Sequence, residues 1–166
     1  MRCYVLMGVS GCGKSSVGTA LSVTCGMDFI DGDDLHPRNN IDKMASGHPL
    51  NDDDRAPWLR LVGRTLAKAE GPMVIGCSAL KKRYRDWIRR EVPEPVRFIH
   101  LDAPRDVLAR RVARRQDHFM PTALLDSQFS TLERLKRDEL GAEIDISKPY
   151  ERVVAASETY VRETLI

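Results

Sequence analysis

The sequence predicts an α/β domain, a five-stranded parallel sheet flanked by helices, and three observations carry that expectation. Short apolar runs alternate with helix-length amphipathic segments along the chain. The first run, "CYVLMG", lacks the polar alternation of a half-exposed strand and suits a strand buried on both faces. It leads directly into the glycine-rich "GVSGCGKSS" and then a helical pattern, an order of strand, loop and helix suited to seating phosphate.

Taken in order, "CYVLMG" is the first strand, followed by a helix from Lys14 to Cys25 with Val17, Ala20, Leu21 and Thr24 on one face and Gly26 as its stop. "DFID" is the second strand, "PMVIGCS" the third, "VRFIHL" the fourth and "EIDIS" the fifth. Helical patterns cover Ile41 to Ser46, Trp58 to Glu70 and Tyr84 to Arg90. A basic helix follows within "APRDVLARRVARRQDHF", and a last one, opened by Pro149, carries Val153, Ser157, Tyr160, Val161 and Thr164 on one face. We expect a single domain over 1–166, with a lid segment at about 111–130.

Composition excludes more than it identifies. At 42% hydrophobic and 30% charged, the 166 residues can bury a core and are not disordered. Charge is segregated: residues 28–54 hold eight acids against two bases, and residues 81–115 twelve bases against five acids. Such local patches suit a small anionic substrate better than nucleic acid. Cys3, Cys12, Cys25 and Cys77 have no metal-type spacing and read as reduced thiols. No apolar run reaches the ~20 residues that span a bilayer, so we expect a cytoplasmic protein with no membrane partner.

The phosphate loop is the strongest motif. Gly8, Gly13, Lys14 and Ser15 match G-x-x-x-x-G-K-[ST] in the right context. Together with Val9, Ser10, Gly11, Cys12 and Ser16 they form a backbone cradle for ATP, with Lys14 on the β- and γ-phosphates and Ser15 on Mg²⁺. The loop identifies a nucleoside triphosphate, not a reaction. No N-K-x-D signature is present, which sets the GTPase reading aside.

The acceptor side lies where other strands end, since residues past the strand C-termini face the ligand crevice, and we expect Asp31 and Asp33 to leave the second strand alongside the loop that leaves the first, from neighbouring edges. In "DGDDLHPRNN" we assign Asp33 as general base and Asp31 to the metal, leaving Asp34 to cap the next helix. In "PLNDDDRAPWL", Pro57 must lie in the first helical turn, making Asp53 or Asp54 the N-cap and setting Arg55 at the helix mouth, a seat for a carboxylate. In "CSALKKRYR", Ser78 follows the third strand, and Lys81 and Arg85 share a helical face at i, i+4, while Lys82 and Arg89 point to solvent. On the basic helix, Arg111 and Arg115 fall on the side of Leu108 and Val112 and read as lid arginines that meet phosphate; Arg110 and Arg114 fall opposite. His118 can touch substrate or cap the turn, and His100 reads as a core residue.

"YVLMGVSGCGKSSV", "DGDDLHPRNNIDKMASGHPLNDDDRAPWL", "CSALKKRYRD" and "SQFSTLE" resemble the motifs of bacterial-type gluconokinases, in the same order. The resemblance implies the nucleoside monophosphate and shikimate kinase-like P-loop fold with a lid, and ATP-dependent phosphorylation of D-gluconate with Mg²⁺ in a homodimer. It assigns Asp33, His36, Arg55, Ser78, Lys81 and Arg85 to the sugar acid, and gives Gln128 a substrate-clamping role. Cys12 departs from the small residues usual in the loop. The alternatives are a kinase for another hydroxy acid such as shikimate, a nucleotide-dependent binding module without transfer, and nucleic-acid binding through the arginine-rich helix. The last lacks aromatic stacking positions.

Overall fold

The computed structural model describes residues 2–114 and 122–165. Its five strands are β1 (Cys3–Met7), β2 (Asp28–Asp31), β3 (Met73–Gly76), β4 (Val96–Asp102) and β5 (Gly141–Asp145). They form one parallel sheet in the order β2-β3-β1-β4-β5. The helices are α1 (Lys14–Thr24), α2 (Arg38–Ala45), α3 (Asp52–Ala67), α4 (Lys82–Arg90), α5 (Arg105–Arg114), α6 (Thr122–Thr131) and α7 (Tyr150–Thr164). A short 3₁₀ turn, Gly32–Leu35, leaves β2.

Side chains alternate across the central strand and create two cores. Tyr4 and Leu6 pack with Val17, Leu21, Val153 and Val161 of α1 and α7. Cys3, Val5 and Met7 pack with Leu59, Val62 and Ile88 of α3 and α4. Each fully buried aliphatic side chain contributes roughly 1.5–3 kcal/mol over exposure, so both faces hold the strand ends in place. All four cysteines are free thiols.

The expected elements are present with three corrections. First, β2 does not neighbour β1, because β3 lies between them. The two functional edges still meet across the end of the intervening strand, where Gly76 pairs with Leu6 on one side and Asp31 on the other, and Ser15 reaches Asp31. Gly32 makes the crossing tighter still: a Cβ there would sit 2.4 Å from the Gly76 carbonyl oxygen, so only glycine allows the 3₁₀ turn to lie against β3.

Second, α3 begins at Asp52, not beside Pro57. Its N-cap is Asn51, which forms a reciprocal capping box with Asp54. Those bonds and three acids in the first turn outweigh the one backbone bond that Pro57 removes in the second turn. Third, β5 starts two residues earlier than "EIDIS", its register set by pairing with β4. His100 is buried, as expected.

Candidate active site

The phosphate loop connects β1 to α1, and Gly13 enters the helix in the left-handed region at φ 97°, which any side chain would strain. A Cβ on Gly13 would meet nothing within 4 Å, so backbone conformation and not crowding calls for glycine there. The Lys14 ammonium lies inside the curl, donating to the carbonyl oxygens of Gly8 (2.9 Å) and Val9 (3.2 Å) and lying 3.7 Å from Cys12 Sγ. Cys12 is buried beneath the loop.

Ser15 Oγ donates to Asp31 Oδ2 at 3.1 Å. A hydroxyl and a carboxylate facing each other at the mouth of a phosphate loop are the hard oxygen donors that Mg²⁺ takes, so this pair fits the metal. Asp31 Oδ1 accepts from the Asp33 backbone N–H at 3.0 Å. The cap of the 3₁₀ turn is therefore Asp31, and Asp34 does not supply it.

Asp33 opens to the crevice with its side chain 81% exposed. Desolvation by surrounding protein and the nearby Asp31 charge raise its pKa, while His36 and Lys14 pull it down. His36 lies behind it, its Nε2 4.0 Å from Asp33 Oδ1, and stacks on Trp58 with ring centroids 4.0 Å apart. Trp58 in turn donates to the Gly32 carbonyl at 2.8 Å.

The third strand end brings a second cluster. Arg55 Nη1 donates to Tyr84 Oη (3.3 Å), and Tyr84 Oη donates to Asp52 Oδ1 (2.6 Å). Arg55 and Lys81 both lie over the Tyr84 ring, 5.5 and 5.6 Å from its centroid. Burial and the Asp52 bond push the Tyr84 hydroxyl up to about 12, so it stays a neutral spacer between two cations. Lys81 has no acidic partner within salt-bridge distance among the described residues, and Arg55 reaches only Asp52 at 3.8 Å. Two half-exposed cations in one place suit a carboxylate. Ser78 belongs to the same turn, its carbonyl accepting from Gly8 N at 3.2 Å.

Several expected site residues are elsewhere. Arg85 does not face the crevice: it is fully buried, bonded to both oxygens of Glu139 and to the carbonyls of Ala79 and Leu80. Lys81 precedes α4 as its N-cap, so the two basic residues do not share a helical face. Arg89 is not solvated either, pairing with Asp86 and Glu139.

Gln128 on α6 bonds the phosphate loop. Its Oε1 accepts from Ser10 N (2.6 Å) and its Nε2 donates to Ser10 Oγ (2.9 Å). Glu133, ending the same motif, accepts from Lys82 N at 3.2 Å and so caps α4.

On the far side of the loop, a cleft of about 290 Å³ is lined by Gly13, Ser16, Arg111, Arg114, Ile146 and Tyr150 among others. Arg111 donates to the Ile146 carbonyl, close to where the sequence set it. Arg114 belongs to the cleft as well, although helical angles alone turn it outward. The cleft joins the phosphate loop and offers apolar and guanidinium walls for a flat base. Arg115 and His118 lie outside the described residues. Tyr84, Asp52, Trp58, Ile146 and Tyr150 were not among the expected site residues, since each reads as core or surface until the strand ends are assembled.

The chain is similar to known proteins along nearly its whole length. A family described as an AAA domain matches residues 4–135. The thermoresistant gluconokinase of Escherichia coli (strain K12) is 46% identical over 158 residues, covering 93% of this chain and 90% of that one. The crystal structure of a gluconokinase from Sinorhizobium meliloti 1021 superposes with a TM-score of 0.86 at 44% identity, covering 98% of this chain and 94% of that one. Shikimate kinase from Aquifex aeolicus shares the fold alone, at a TM-score of 0.56 and 18% identity over 98% of this chain and 97% of its own. With this kinship along nearly its whole length, the chain belongs to the gluconokinase family.

Proposed function

We propose that the protein transfers the γ-phosphoryl group of ATP to the terminal hydroxyl of D-gluconate, giving 6-phospho-D-gluconate. The observations that support this reading are Lys14 inside the phosphate loop, Asp33 on the acidic strand exit that Ser15 of that loop reaches through Asp31, and the Arg55–Lys81 pair over Tyr84. A sugar acid has a hydroxyl at one end and a carboxylate at the other, and these three features match phosphate, hydroxyl and carboxylate in turn.

In this mechanism the loop amides and Lys14 hold the β- and γ-phosphates. Arg55 and Lys81 hold the substrate carboxylate, with Ser78 lining the path between, while the buried His36 backs Asp33 and does not meet the substrate. Asp33 accepts the hydroxyl proton as the new oxygen–phosphorus bond forms and the bond to the bridging oxygen breaks. Its raised pKa makes it a better base than a free carboxylate. Ser15 and Asp31 would hold Mg²⁺, which neutralises phosphate charge when bound. Arg111 adds positive charge from the nucleotide side. Little else is required, since phosphoryl transfer depends mainly on positioning and charge.

The test is a coupled ADP-release assay over a panel of aldonates together with shikimate. Gluconate should turn over best, and equal rates across the panel would end the substrate assignment. Nucleotide binding without any transfer would favour the binding-module alternative. We extend the proposal to a single cytoplasmic domain, with its lid at about 111–130, acting as a homodimer. Light scattering checks the oligomer, and no described helix is long and apolar enough to cross a membrane.

A further inference from the structure

Asn40 on α2 is a buried polar side chain, 1% exposed, that no part of the proposed mechanism uses. Its Nδ2 donates to the Asp54 backbone carbonyl at 3.0 Å. A carbonyl only accepts, so the amide orientation is determined: nitrogen, not oxygen, points along that line. The same Nδ2 lies 3.3 Å from His36 Nδ1. Two donors cannot bond, so His36 Nδ1 must offer a lone pair. A neutral imidazole whose Nδ1 accepts carries its proton on Nε2. That nitrogen is the one facing Asp33 Oδ1.

The rest of the surroundings agree. Trp58 stacked on the ring at an interplanar angle of 18° prevents the ring from turning over. The His36 side chain is only 6% exposed, so water cannot readily substitute for Asn40. Meanwhile Asn40 Oδ1 is buried with no hydrogen-bond partner among the described residues. The acceptor of this amide is idle while its nitrogen faces two acceptors.

We infer that Asn40 is a positioning residue that locks His36 in the Nε2–H tautomer, so that the ring turns its N–H toward one oxygen of the Asp33 carboxylate, 4.0 Å away, and leaves the other for the substrate hydroxyl. This rests on the reading of Asp33 as base. It also makes His36 a poor proton acceptor, because a second proton on Nδ1 would confront the Asn40 amide. The charged groups acting on the ring are Asp33 on the 3₁₀ turn and Arg55 on α3. Burial lowers the ring's pKa, Asp33 opposes that, and Arg55 adds to it.

The test is long-range ¹H–¹⁵N NMR of histidine-labelled protein, with the His36 signal assigned by its loss in His36→Gln. In the wild type, Nδ1 should be unprotonated and Nε2 protonated throughout the neutral range. Asn40→Asp, which replaces the donor by an acceptor, should raise the His36 pKa by at least about one pH unit and move proton density to Nδ1. The pH profile of gluconate turnover should shift with it, at unchanged KM for ATP. Protonated Nδ1 in the wild type, or an equal mixture of tautomers, overturns the inference without any variant having to fold. So does an Asn40→Asp protein whose ring signals and pH profile match the wild type. A wild type with the expected tautomer but no gluconate kinase activity defeats the function and spares the tautomer; the reverse result defeats only the lock.

Discussion

Glu139→Gln is the sharpest test of the assignment of Arg85 to structure. The Arg85 and Glu139 side chains are 0% and 1% exposed and 2.6 Å apart, and Arg89 adds a second cation at 3.0 Å. Burial opposes the Glu139 charge, but bonds from Arg85 and the Lys136 N–H, with the Arg85 and Arg89 charges, prevail and hold its pKa at about 2 against an ordinary 4.5. At ~1.4 kcal/mol per pH unit, that difference corresponds to about 3 kcal/mol of stability. Removing one partner of a buried pair independently predicts about 3–5 kcal/mol. Because the folded pKa is depressed, the contribution is complete above 4.5 and disappears as pH falls toward about 2. Urea unfolding of both proteins across that range should therefore show a gap of about 3 kcal/mol near neutrality that closes with acid. A gap under about 1 kcal/mol at neutral pH, the worth of an ordinary hydrogen bond, would refute the reasoning. So would one that does not change with pH.

Asp33→Asn should lower kcat by about 10²–10⁴-fold while an ATP analogue binds as before. Since ionisation of Asp33 is disfavoured in the fold, the same change should not lower thermal stability, and wild-type kcat/KM should fall as acid protonates the base; retained turnover would remove Asp33 from the chemistry. Gln128→Ala deletes two bonds to Ser10 and should raise the KM for ATP about fivefold or more with little effect on gluconate; the opposite split would restore the substrate-clamp role. Arg55→Ala or Lys81→Ala should raise the gluconate KM by about 10–100-fold and erase any preference for gluconate over the uncharged polyol. An unchanged preference would move the carboxylate seat elsewhere.

Local features were legible in the sequence wherever the chemistry is carried by consecutive residues. The phosphate loop needs one strand end, one glycine-rich curl and one helix start, and all three lie between Cys3 and Thr24. Asp31 and Asp33 were legible for the same reason, being the acids at the only early apolar run that ends in acids. The arginines were not. Arg85 and Arg89 look alike to helical angles as basic surface, but Glu139 arrives from fifty residues away and draws both inward. Gln128 meets Ser10 across a separation of 118 residues, and Lys81 meets Arg55 only through Tyr84.

The sequence by itself determined the layered sheet, the anion-binding loop and the acidic strand exit, because backbone geometry and apolar periodicity act over a few neighbouring positions. Tertiary structure alone decided which cations remain available for substrate. An arginine's role depends on whether a carboxylate reaches it first, and that partner is chosen by how distant segments pack.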